Sequence, residues 1–106
     1  MKTRIIESKL NSLDAETLRN YFSGIIYDSI NSLMYVDAVS FYEDCTLDDF
    51  FAGGYEEIWD EDKYVGEGIN AIAFNVVITD ENKGQIEEIF RQIASKELKD
   101  YIERNK

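Results

Sequence analysis

The sequence predicts an α+β fold: two long helices packed on a small two- or three-stranded sheet, with an acidic helical or loop excursion, residues 43–68, between the strands. Three observations lead there. Apolar residues recur at steps of three and four over residues 13–33 and again over 85–104, the period of an amphipathic helix. Between these runs lie segments rich in β-branched and aromatic residues, which suit strands. The composition, 44% apolar and 31% charged over 106 residues, is that of one globular domain whose core buries roughly 65% of the unfolded surface.

Residues 3–10 predict a short helix with Ile6 and Leu10 on one side. Ser12 or Asp14 can cap the next helix, with Glu16 well placed in its first turn. There Leu18, Phe22, Ile25, Ile26, Ser29, Ile30 and Leu33 form one face, and Arg19, Asp28, Asn31 and Ser32 the other. The segment Tyr35–Tyr42 reads as a strand. Thr46 followed by Asp49 resembles a capping box for a short helix over 47–52, which Gly53-Gly54 would stop. Tyr55–Tyr64 reads as a further helical turn or a loop, and Gly66-Glu67-Gly68 as a turn.

Ile69–Thr79 is the clearest strand by pattern. Ile72, Phe74, Val76 and Ile78 fall on one face, and Ala71, Ala73 and Val77 on the other, so a covered, central position is expected. Asp80–Gly84 then makes a turn. The last helix carries Ile86, Ile89, Phe90, Ile93, Ala94, Leu98, Tyr101 and Ile102 as a stripe, with Arg91, Lys96, Lys99, Arg104 and Lys106 in the half where the helix dipole favours cations. The connection between the two strands is long enough for either a parallel or an antiparallel pair.

The charge is concentrated. The chain's net charge is −11, and residues 37–67 hold eleven acids against one base, Lys63. The same stretch holds Phe41, Tyr42, Phe50, Phe51, Tyr55, Trp59 and Tyr64, half of the chain's fourteen aromatics. Direct binding to nucleic acid or to an anionic membrane is disfavoured, because phosphate contacts need Lys and Arg. A basic protein partner is favoured. The first residues lack the apolar run of a signal peptide, and no run approaches the roughly 18 residues of a membrane span. With a single cysteine, Cys45, the chain reads as cytoplasmic.

Chemistry is constrained by what is missing. With no histidine, Ser-His and Cys-His nucleophilic pairs and the usual zinc ligand set are excluded. Calcium loops beginning at Asp60 or Asp80 fail at their fifth, sixth and twelfth positions. Gly66-Glu67-Gly68 lacks the Lys-Ser/Thr of a phosphate loop. The chain is therefore expected to be no enzyme and to need no cofactor or metal.

Carboxylates several ångströms apart can imitate phosphates, since duplex DNA presents one charge per roughly 1.7 Å of axis. Glu43-Asp44, Asp48-Asp49, Glu56-Glu57, Asp60-Glu61-Asp62 and Glu67 supply the acids, and Phe51, Tyr55, Trp59 and Tyr64 the rings that usually dominate affinity. In this charge pattern, over about a third of the chain, the sequence resembles the small acidic nucleic-acid mimics of phages and mobile elements, the anti-restriction and anti-CRISPR type of inhibitor. Those inhibitors share no fold or signature, so no residue role is carried over. The resemblance implies a non-enzymatic inhibitor occupying the nucleic-acid groove of a cationic target such as a nuclease. An immunity protein against a basic toxin nuclease has the same physics, and a small accessory or oligomeric subunit is the third reading.

Overall fold

The computed structural model describes residues 14–71 and 74–106. Within them the chain is α+β, with two long and two short helices against a three-stranded antiparallel sheet. The helices are α1 (Asp14–Asn31), α2 (Tyr35–Glu43), α3 (Leu47–Phe51) and α4 (Lys83–Arg104); the strands are β1 (Glu56–Asp60), β2 (Lys63–Ala71) and β3 (Phe74–Val77). The helix expected over residues 3–10, the cap Ser12, and Ile72 and Ala73 lie outside the described residues. No helix among the described residues is long and apolar enough to cross a membrane.

The two long helices form for the reasons their periodicity gives. Leu18, Phe22, Ile26 and Ile30 of α1 stand four apart, and each is fully buried. Ile86, Ile89, Phe90, Ala94 and Tyr101 of α4 meet them. Phe22 packs edge-on against Phe90 at 5.2 Å, the Ser23 hydroxyl donates to the buried Glu97 carboxylate at 2.8 Å, and Arg104 reaches Asn31. Contacts advance together along both helices, so α1 and α4 run side by side in the same direction. Arg104 in the last turn complements the dipole.

Residues 35–42 form a helix, not the expected strand. Their β-branched and aromatic content gave the wrong answer because tertiary burial outweighs propensity here. Ala38 and Tyr42 are buried, four residues apart, and Tyr35 stacks on Tyr101 at 5.8 Å. That is a helical stripe, and a strand would put the odd-numbered Tyr35 on the face opposite Ala38 and Tyr42. The Tyr42 hydroxyl donates to Ser29 Oγ at 2.7 Å, tying α2 to α1.

The capping box forms as expected. Thr46 Oγ1 accepts from the Asp49 N–H, and the Asp49 side chain accepts from the Thr46 N–H, both at 3.1 Å. The helix stops at Ala52 and Gly53, both left-handed at φ 54° and 69°. Leu47 plugs the core, and its N–H donates to Glu87 of α4 at 2.7 Å.

The acidic stretch is not an insert between strands. It supplies α3, β1 and much of β2, and the three strands follow one another as an antiparallel meander in the order β1-β2-β3. Tyr55–Tyr64 is therefore neither helical nor a loop but the greater part of a hairpin. Gly66-Glu67-Gly68 lies within β2 instead of turning the chain. The single strand expected over 69–79 is two: residues 69–71 end β2 and residues 74–77 form β3, with Ile69 opposite Val76. Both of those side chains are buried in the same core as the helices, so this end of the sheet is covered. Asn82 precedes α4 without capping it. Its side chain accepts from the Thr79 N–H and donates to the Val77 carbonyl at 2.8 Å, holding β3 to the helix start.

Cys45 is buried, and its thiol is pushed up to about 11, first by burial, then by the charges of Asp49 and Glu87, with Arg91 opposing. The thiolate is the nucleophile. Native protein at pH 8 is thus expected to react with a disulfide reagent far more slowly than protein in denaturant, and a native rate equal to that of a free thiol would contradict this burial.

Candidate protein-binding surface

The β1–β2 hairpin brings together a subset of the expected residues. Trp59 and Tyr64 are directly opposite across the strands, 51% and 47% exposed, with ring centroids 5.4 Å apart at 68°. A register shift beside them, between Ile58 and Trp59, leaves Val65 as an extra residue in β2. Two residues along β1, Glu57 faces the same way and accepts from Trp59 Nε1 at 3.3 Å. Its cross-strand partner is Glu67. The Trp59–Tyr64 ring contact, the Trp59–Glu57 hydrogen bond and the Glu57–Glu67 pairing put all four side chains on one face. The Tyr64 phenol is raised above its ordinary value, first by desolvation and then by Glu67 and Glu57.

The tip adds Glu61, in a left-handed conformation at φ 58°, and the exposed Asp62. Asp60 contributes backbone to β1, while its side chain lies outside the described residues. Glu57, Asp62 and Glu67 make no ion pair with any lysine or arginine among the described residues.

A second group lies apart from the hairpin, along α2 and α3. Asp37, Phe41 and Asp44 fall on one face of α2 and its C-terminal cap. With Asp48, Asp49 and Ala52 they line an open groove. Asp48 is committed elsewhere as well. It accepts from the Tyr55 hydroxyl at 2.5 Å and pairs with Lys83 at 3.0 Å, contacts that lower its pKa, the Tyr55 hydrogen bond most. The same bond and partial burial drive the Tyr55 phenol well above its ordinary range, with burial the larger cause.

The remaining expected residues serve other ends. Phe51 and Tyr55 are partly buried and packed on the core, their rings 5.4 Å apart. Glu43 is exposed at the end of α2, and Glu56 is exposed in β1 near Tyr21 of α1, whose phenol is raised first by burial and then by Glu56. Phe41 was missed. It is 41% exposed beside Asp37 and Asp44, and only a helical reading of residues 35–43 would have placed it there. Among the described residues, no three or more Cys, Asp or Glu side chains converge as a metal site.

One energetic feature marks the hairpin. Like charges directly opposite on an antiparallel pair destabilise it. The Glu57–Glu67 pair therefore works against folding at the place where the rings are displayed. Glu67→Lys is expected to stabilise the fold by about 0.5–1 kcal/mol in chemical unfolding. An unchanged or lower stability would show that the pair carries no strain.

No protein family matches the chain, and neither the curated proteins nor the solved structures compared with it give a match.

Proposed function

We propose that this protein is a non-enzymatic inhibitor whose acidic, aromatic hairpin occupies the nucleic-acid groove of a cationic protein. The observation that carries this reading is the outward face of the β1–β2 hairpin. There Trp59 and Tyr64 are about half exposed beside Glu57 and Glu67, which no described lysine or arginine neutralises. Exposed rings supply the desolvated contacts that dominate affinity, and acids around them steer a basic partner in. The Glu57–Glu67 arrangement costs fold stability, which fits a face selected for a target.

The test is capture and competition. Immobilised protein is incubated with host lysate at about 50 mM and about 300 mM salt, and the captured proteins are then challenged with a duplex oligonucleotide. The expected result is capture at low salt that weakens at the higher salt, with the bound protein released by the duplex. Proteins that stay bound in the presence of excess duplex would overturn the groove-filling reading.

A further inference from the structure

The hairpin face combines two kinds of group that attract cations. Trp59 and Tyr64 meet edge to face, 5.4 Å apart at 68°, and each keeps about half of its surface open. Aromatic faces are electron-rich and draw positive charge. Beside the rings stand two carboxylates. Glu57 and Glu67 are directly opposite across the strands, which puts their Cβ atoms about 5 Å apart. One cation lying between the strands can therefore address both. Neither glutamate has an ion-pair partner among the described lysines and arginines. Trp59 Nε1 donates to Glu57 at 3.3 Å, so the indole itself holds that carboxylate at its edge. Ring and acid are arranged before any partner arrives, which lowers the ordering cost of binding.

The chemistry of the site separates arginine from lysine. An ammonium is a compact, strongly hydrated point charge. A guanidinium is planar and weakly hydrated, and it stacks on a ring while its N–H fork pairs with carboxylates. Flat rings next to acids use both properties. The protein shows the stacking half at its other end, where the Arg104 guanidinium lies 5.0 Å over the Tyr27 ring and 5.9 Å from the Tyr101 ring. The acids of the α2–α3 groove are differently engaged. Asp48 pairs with Lys83 and accepts from Tyr55, and Asp49 closes the capping box on Thr46.

We propose that the hairpin receives an arginine side chain of its partner, the guanidinium laid against the Trp59–Tyr64 pair and forked to Glu57 and Glu67. This rests on the reading above that the hairpin is the binding face, and it adds the residue type that the face selects.

Oligoarginine and oligolysine peptides of equal length, titrated into the full chain at about 50 mM salt, test it. Trp59 is the chain's only tryptophan, so its fluorescence reports this site. Oligoarginine is expected to change that fluorescence with a dissociation constant about tenfold below that of oligolysine. Tyr64→Leu is expected to erase most of this ratio, with an unchanged circular dichroism spectrum because the ring is half exposed. Combining Glu57→Gln with Glu67→Gln is expected to weaken oligoarginine about tenfold. Combining Asp37→Asn with Asp44→Asn is expected to leave the Trp59 response as it is. Equal affinity for the two peptides would overturn the arginine assignment, and so would a Tyr64→Leu variant that keeps the full ratio. Neither result touches the groove-filling reading, which falls only if excess duplex fails to release the captured protein.

Discussion

Gly68→Ala is expected to be the most damaging single methyl group that can be added to this protein. A Cβ at Gly68 would lie 1.9 Å from the Val76 carbonyl oxygen and 2.8 Å from its carbonyl carbon, both backbone atoms of β3. A flexible side chain could swing away, but a strand hydrogen-bonded to its neighbour cannot without breaking register. Overpacking usually costs 1–3 kcal/mol, and here about 3 kcal/mol or more is expected. Against a typical total of 5–15 kcal/mol that is a large loss. The measurement is urea unfolding together with amide exchange at Ile69 and Val76, which face each other across the β2–β3 pair. A shift under about 1 kcal/mol would mean that β3 does not hold this position.

The second large effect concerns recognition. Trp59→Ala is expected to weaken target binding by about 30-fold or more, the size of a central aromatic anchor. Its side chain is half exposed, so stability should change little. Glu67→Lys is expected to weaken binding too, chiefly through a slower association rate, while it raises stability. This opposition is diagnostic, because a residue kept only for structure cannot lose binding as its fold improves. Full inhibition of the target by Trp59→Ala would remove the hairpin from the interface.

Both long helices were legible in the sequence because their stripes are uninterrupted: four residues at steps of four in α1, and a run from Ile86 to Tyr101 in α4. The Thr46–Asp49 capping box was legible too, since it depends on local backbone groups alone. Tyr35–Glu43 was not. Its residues favour strands, and only the burial of Ala38 and Tyr42 against partners distant in sequence decides for a helix. The hairpin was hidden for another reason. β1 presents Glu56, Glu57 and Trp59 to solvent and buries Ile58, so it has almost no apolar alternation to read. Glycines at 66 and 68 suggested a turn, although the second is there because β3 passes too close for a side chain.

For the candidate site, the composition located the right region but could not divide it. Phe51 and Tyr55 read like Trp59 and Tyr64, yet the first two pack on the core and the last two do not. The division follows from tertiary placement, which no local pattern specifies: Phe51 ends α3 and Tyr55 precedes β1, both against the core, while Trp59 and Tyr64 pair across the hairpin.

Among the described residues, the meander leaves β1 with one hydrogen-bonding edge unclaimed by another strand. Such an edge is a template on which a foreign strand can grow, and fibrils begin in this way. Glu56 and Glu57 set two carboxylates along it, so any identical strand arriving in register would meet its own charge. Neutralising both to sharpen or abolish recognition would also remove that guard, and the resulting protein should be handled as one prone to polymerise.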